Sequence, residues 1–352
     1  AATDHVPEMI AIIRKLFDKG YAYQSEDGSV YFSIAKWPAY GKLAHLDREG
    51  MRAGVRVASD EYDKENVADF ALWKAWDAKD GDVAWDSPWG RGRPGWHIEC
   101  SAMSQKYLGA SFDLHTGGVD NVFPHHEDEI AQSEAANGQP FATYWMHCAH
   151  LMVDGQKMSK SRGNFYALRD VLARGYSGRE VRYELLATHY RAPLNFTFGS
   201  LDAARTALRR VDEFTVRLAD AAGGAKAGPL PAWAQAAAER FEAAMDEDLN
   251  VSAALAALFD AIREGNAGMD AKTLAPTDAA AVQALFKRWD GALGVLEKPA
   301  EPVPAAVQAL LERRQAARAA KEWKQSDALR DEIAALGWTV KDTPKGQVAS
   351  KA

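Results

Sequence analysis

From residue 111 to 153 the chain reads SFDLHTGGVD, then NVFPHHEDEIAQSEAA, then, after a short break, YWMHCAHLMV. The first and last are short apolar runs that read as buried strands, and the middle one has the character of a helix. Strand, helix, strand is the βαβ rhythm of a parallel sheet, so this stretch points to an α/β fold. Pro124 is expected at a first helical position, with acids in the first turn where the helix dipole favours them. The Gly117-Gly118 turn would bring backbone N–H groups and Asp120 to the carboxyl end of a parallel strand, where open α/β sheets bind ligands. The plainer reading of the same glycines is an ordinary turn.

The rest of the chain is organised around that unit. Residues 4–19 carry Ile10, Ile13, Leu16 and Phe17 at helical spacing, with Asp4 as a cap and Gly20 as a stop. YAYQSEDGSVYFSI places two alternating runs around Asp27-Gly28, a hairpin signal. From about 36 to 95 the text is irregular and rich in Trp, closing on WDSPWGRGRPGW, and reads with the hairpin as an insertion. WHIECSAMSQKYL then puts Trp96, Cys100, Met103 and Tyr107 on one helical face. Beyond about 166 the pattern is helical, with Leu201, Ala204, Leu208, Val211 and Leu218 as one stripe and Phe241, Met245, Leu255, Leu258 and Ile262 as others. EKPAEPVPAA, at 297–306, is a Pro-rich linker before a small terminal unit.

Composition narrows the class. At 352 residues the chain suits two or three domains. No apolar run approaches the roughly 18 residues that span a bilayer. A net charge of -7 argues against bulk electrostatic attachment to nucleic acid, although residues 301–352 hold nine Lys/Arg against seven Asp/Glu. Two separated cysteines and no signal-like leader point to a reducing cytoplasm and no disulfide framework. The opening AATDHVPEMIAIIRKLF has no initiator Met and a helix under way by Pro7, which reads as a start in mid-domain.

Three sets of residues have the chemistry of a site. His125 and Glu129 are one helical turn apart, and with Cys100 they make a donor set that zinc accepts. The bland alternative is a buried core cysteine beside a charged helix start. Lys157 and Lys160, with Ser159, Ser161 and Gly163, lie in LMVDGQKMSKSRGNF after a turn, where two ammonium groups can reach a polyphosphate. A solvated loop is the alternative there. In the tail, Trp323 and Trp338 sit among Arg313, Arg314, Arg318, Lys321, Lys324 and Arg330, a mixture suited to unpaired bases unless the tryptophans form the unit's core.

GRPGWHIECSAM, GGVDNVFPHHEDEIAQSEA and KMSKSRGNF, in this order, resemble the class I cysteinyl-tRNA synthetases, and the resemblance extends through YRAPLNFT to the terminal DALRDEIAALGW. It implies an α/β fold: the C-terminal half of a Rossmann-type catalytic domain with a small inserted sheet, then an α-helical bundle and a small C-terminal module. The implied domains are 1–165 (catalytic, insertion at about 20–95, KMSKS loop at 157–161), 166–296 (helical, stem-contacting and DALR-like), a linker at 297–306, and an anticodon-binding module at 307–352. By position, Cys100, His125 and Glu129 resemble three of four zinc ligands, the fourth being a cysteine in the family's N-terminal segment.

Lys160 resembles the ATP-binding lysine, with Lys157 and Ser159 beside it; Trp96 resembles the aromatic that closes over the amino acid, and Asp120 a polar residue lining the same pocket and the ATP site. The implied activity is ATP-dependent activation of L-cysteine, with Mg2+ accompanying ATP, and transfer to tRNA(Cys), zinc selecting the thiolate. A cytoplasmic monomer with no membrane attachment is implied. No HIGH-type tetrapeptide occurs in the sequence, so the chain is expected to be the later part of such an enzyme and inactive alone. Two other readings stand beside it: a ligase delivering cysteine to an amino sugar, and a non-catalytic, truncated tRNA-binding paralogue.

Overall fold

The computed structural model describes residues 1–46, 69–298, 303–343 and 346–351. The middle of the expected insertion, 47–68, and positions 299–302 of the expected linker lie outside them. The chain forms two compact units, one of Ala1–Ala204 with Arg240–Leu258, the other of Arg205–Glu239 with Phe259–Ala352.

In the first unit, α1 (Val6–Asp18) buries Met9, Ile12, Ile13 and Leu16 on one face and stops before Gly20, whose φ is +76°. Asp4 is not its cap: it lies in a short turn and takes the terminal amine at 3.1 Å. The hairpin around Asp27-Gly28 is present as β1 (Ala22–Gln24) and β2 (Val30–Phe32). It belongs to a larger antiparallel sheet, because β3 (Phe70–Ala75) and β4 (Gly92–Pro94), from text that reads as irregular, continue the order β1-β2-β3-β4. Phe32, Leu72 and Trp73 are buried there against α1 and Ile98.

The parallel unit is β5 (Phe112–Gly118), α3 (Glu127–Asn137) and β6 (Ala142–Cys148), with Leu114 opposite Tyr144 and Gly118 opposite Cys148. Ahead of it, α2 (Trp96–Leu108) packs on α3. A three-stranded sheet follows, ordered β8-β7-β9, from β7 (Leu151–Val153), β8 (Gln156–Lys157) and β9 (Leu194–Phe196). Short helices α4 (Leu168–Ala173) and α5 (Gly178–Ala187) lie between β8 and β9 in the sequence.

Helices α6 (Phe198–Ala222), α7 (Ala232–Asp246) and α8 (Val251–Asp270) have residues in both units, and α9 (Pro276–Leu293) lies in the second. The stripe from Leu201 to Leu218 is buried, as are Phe241, Leu255, Leu258 and Ile262; Met245 is half-buried. The second unit also holds α10 (Ala305–Ala319), α11 (Trp323–Ala335) and the hairpin β10 (Trp338–Thr343) and β11 (Gly346–Lys351), closed over Val307, Leu311, Ile333 and Trp338.

Three further expectations need correction. The stretch beyond 166 is not helical throughout, because β9 falls within it and pairs with β7. The helix after Asn121 starts at Glu127, not at Pro124. Phe123, at φ -139° and ψ 133°, is extended, as the residue before a proline must be to avoid its ring, and a wide turn over 122–126 intervenes. On α2, the face of Trp96, Cys100, Met103 and Tyr107 is not the buried one: His97, Ile98, Ser101 and Ala102 are, while Trp96 and Tyr107 are exposed. The α2–α3 seam is polar, which removes the apolar stripe that periodicity looks for. Gln132 donates to the His97 carbonyl at 2.5 Å and to Ser101 Oγ at 2.7 Å, and Ser133 donates to Ser101 at 2.9 Å.

Candidate metal centre and active site

Cys100 from α2, His125 from the turn before α3 and Glu129 from the first turn of α3 converge, their ligand atoms all within 4.8 Å of one another. The approach of α2 depends on Gly95, its N-cap, where any Cβ would collide with the Ala71 carbonyl. A second triad shares Glu129: His115 on β5, His126 and Glu129 also place ligand atoms within 4.8 Å. Gly117 makes room for it, since a Cβ there would stand 2.5 Å from His126 Cε1.

The electrostatics of this cluster are those of a site short of positive charge. Glu129 is fully buried, and neither carboxylate oxygen accepts a well-formed hydrogen bond. His115 Nε2 lies 2.7 Å from one oxygen and His125 Nε2 lies 3.3 Å from the other. Burial, reinforced by the Glu129 charge, pushes the Cys100 thiol up to about 12. Burial lowers His125 and, with His115, His147 and His125 nearby, brings His126 down to about 3, so these imidazoles are neutral and have lone pairs to give.

Around the triad is an outer layer of hydrogen bonds. His125 Nδ1 and His97 Nδ1 share a hydrogen across 2.8 Å, His97 Nε2 lies 3.2 Å from Asp128, and Tyr40 donates to Asp128 at 2.5 Å. Burial, with Glu127 and Glu129 close by, raises the Asp128 carboxyl well above its usual range, and the Tyr40 hydrogen bond opposes the shift. On the other side His126 Nδ1 and His147 Nε2 are 2.8 Å apart, and Trp145 stacks on His115 at 4.7 Å. Trp96, over half exposed, stacks on His125 at 4.2 Å.

The other expected site residues are not among the candidate metal ligands. Asp120 is exposed in the turn after β5. Lys157 ends the β7–β8 hairpin, and Ser159 and Lys160 follow it on an exposed loop. That loop is braced by Asn164, whose side chain accepts from Ser159 N at 2.9 Å and donates to the Lys157 carbonyl at 3.2 Å. Among the described residues neither lysine has an ion pair; Lys160 rests 5.6 Å over the Phe165 ring. The chain reading missed His97, His115, His126, His147 and Tyr40 as members of the site. One signal was available for the histidines: six of the nine in the chain fall between 97 and 150.

In the terminal module Trp338 is buried but Trp323 is 56% exposed, with Arg318 5.8 Å over its ring. Arg314 is withdrawn from the surface, its guanidinium bonded to Asp342 at 2.8 and 2.9 Å and to Gln347 at 2.9 Å.

Comparison with known proteins gives three family matches in order along the chain: the catalytic domain of class I (C) tRNA synthetases over residues 1–206, the DALR domain over 240–297, and the cysteinyl-tRNA ligase anticodon binding domain over 300–348. The cysteine–tRNA ligase of Chlamydia caviae is 49% identical over 354 residues, covering 99% of this chain and 74% of that protein. That of Protochlamydia amoebophila is 48% identical over 351 residues, covering 98% and 73%. A solved structure described as a putative arginyl-tRNA synthetase from Campylobacter jejuni shares the fold, with a TM-score of 0.52 at 12% identity over 84% of this chain and 62% of that one. No helix among the described residues is long and apolar enough to cross a membrane. With a family match over more than half its length and relatives nearly half identical throughout it, this chain belongs to the cysteine–tRNA ligases, a family of class I aminoacyl-tRNA synthetases.

Proposed function

We propose that Cys100, His125 and Glu129 hold a zinc ion that selects L-cysteine, and that the chain's part in the reaction is to activate cysteine with ATP and pass it to tRNA(Cys). The observation that carries this reading is the buried Glu129 carboxylate, both of whose oxygens lack a hydrogen bond while a thiol and imidazole nitrogens converge on it. A buried carboxylate is costly unless a cation answers it. The donor set suits zinc, and a cation there would release the proton that Cys100 otherwise holds so tightly. When bound, zinc supplies a soft Lewis acid for which a thiolate competes far better than the hydroxyl of serine, so size-based rejection is not needed.

The remaining work falls to the chain. Trp96, over half exposed and stacked on His125, covers the amino acid from the solvent side. The carboxylate oxygen of cysteine attacks the α-phosphorus of ATP, whose accompanying Mg2+ offsets phosphate charge, and the bond to the bridging oxygen breaks as pyrophosphate leaves. Lys160 and Lys157 take up the charge that grows on that pyrophosphate, with Ser159 as a donor and Asp120 as a polar residue lining the amino-acid pocket and the ATP site. A ribose hydroxyl of the tRNA then attacks the acyl carbon and AMP departs. The helical region from 166 to 296 takes the stem, and the module from 307 contacts unpaired anticodon bases through the exposed Trp323–Arg318 pair. We place the enzyme in the cytoplasm as a monomer.

Zinc content tests the reading. The full-length enzyme, which supplies the fourth ligand, is expected to hold one zinc, and Cys100→Ala or Glu129→Ala to release it on dialysis; a full-length wild-type enzyme that holds none sinks the assignment. In the active enzyme Lys160→Ala is expected to slow cysteine-dependent ATP–pyrophosphate exchange about 10²–10³-fold, the usual loss for one transition-state donor. An unchanged rate removes Lys160 from the mechanism.

A further inference from the structure

We infer that Asn164 is the positioning residue of the lysine loop: its side-chain amide ties residues 157 and 159 together and so sets where Lys157 and Lys160 reach. This rests on the reading above, in which those lysines receive the departing pyrophosphate. Both ends of the Asn164 amide are used on the loop's own backbone. Oδ1 accepts from Ser159 N–H at 2.9 Å, and Nδ2 donates to the Lys157 carbonyl at 3.2 Å. In a parallel sheet a residue bonds in the same manner to the two residues flanking the one opposite it, donating to the earlier carbonyl and accepting from the later N–H. Asn164 supplies that pairing from a side chain, with Met158 as the residue opposite.

Met158 itself is held by packing against the cluster of Val153, Val171, Phe196 and Leu201, while Lys157 beside it is exposed. The chain can double back to bring Asn164 here because Gly163 takes a φ of +68°, its N–H donating to the Lys160 carbonyl at 3.2 Å. The hairpin that carries Lys157 is anchored in turn: Gly155 N–H donates to Asn195 Oδ1 of β9 at 2.7 Å, and Arg162 Nη1 donates to Gln156 Oε1 at 3.2 Å. Asn164 is the link from this anchored hairpin to the segment on which Ser159 and Lys160 stand. An ammonium group on a loop held in place costs no reorganisation when charge develops on the leaving group, whereas one on a loose loop is in place only part of the time. Loss of the tie should therefore appear in the chemical step and not in the binding of cysteine.

Cysteine-dependent ATP–pyrophosphate exchange in the full-length enzyme tests this. Asn164→Ala should lower kcat about 10–100-fold, the cost of a small misplacement of a reacting group, with KM for cysteine as in wild type. A double-mutant cycle separates positioning from general loss of structure: in a Lys160→Ala background Asn164→Ala should cost less than about 3-fold, because residues that act as one unit do not add. Asn164→Asp, which accepts from Ser159 N–H but cannot donate to the Lys157 carbonyl, should be at least as slow as Asn164→Ala. A wild-type kcat in Asn164→Ala, the same fold loss in both backgrounds, or full activity in Asn164→Asp overturns the inference and leaves the lysine reading intact. A Lys160→Ala enzyme with the wild-type rate sinks the lysine reading, and the inference falls with it.

Discussion

Glu127 shows how a single buried charge can be structural while its neighbour two positions on is chemical. Its carboxylate is fully buried and accepts four backbone N–H groups, from Gly41 at 2.7 Å and Lys42 at 3.1 Å on one oxygen and from Leu43 at 2.9 Å and Ala44 at 3.0 Å on the other. The charge is answered by oriented dipoles, as at a helix N-terminus, so no cation is required. Glu129 has no such donors, and that contrast is the reason for assigning the metal to it. Replacing Glu127 by Gln keeps the shape but turns one acceptor into an amide N–H facing two others. The expected cost is about 3–5 kcal/mol, the range for breaking a buried charged network. The partly exposed Lys42–Glu134 pair, at 2.6 Å, should yield less than about 1 kcal/mol on Glu134→Gln. Urea midpoints of the two variants compare them directly, and equal shifts would mean that Glu127 is not the anchor of the 40–44 segment.

At the scale of elements, what was legible in the sequence is what hydrophobic spacing controls. The β5–α3–β6 unit, the hairpin at Asp27-Gly28 and the Leu201–Leu218 stripe are there because apolar residues recur at strand or helix period and must be buried. The α2–α3 seam was illegible for the opposite reason: His97, Ser101, Gln132 and Ser133 bury polar groups in pairs, and a pair of partners distant in sequence leaves no periodic trace. The three metal candidates could be read by spacing and by family resemblance, while the histidines around them depend on which strand faces α3, a tertiary fact. Arg314 is a like case, since a basic residue in a basic tail reads as an RNA contact and proves to be the polar pin between α10 and the β10–β11 hairpin. Arg314→Ala should therefore loosen the terminal module by about 3–5 kcal/mol, seen as faster proteolysis within 303–351, whereas exposed Arg313→Ala should change stability by no more than about 0.5 kcal/mol. Similar cleavage rates in the two variants would return Arg314 to the surface.

At the scale of the whole molecule, the metal candidates and the terminal module belong to different compact units, and this separates their energetics. A ligand that binds only a folded unit stabilises that unit by RT ln(1 + [L]/Kd), about 4 kcal/mol at a thousand times Kd. All three proposed zinc ligands, with the His97–Asp128 pair behind them, are in the first unit, and Arg314, Trp323 and the β10–β11 hairpin are in the second. Zinc should then act on one unit alone. In hydrogen exchange of the zinc-loaded full-length enzyme, removal of the metal by a chelator should speed the amides of α2, α3, β5 and β6 and leave those of α9, α10 and α11 at their former rates. Helices α6, α7 and α8 contribute to both units and are not diagnostic. Uniform acceleration across both groups would mean that the two units unfold as one and that the metal supports the entire chain; no change in α2 and α3 would place the metal elsewhere.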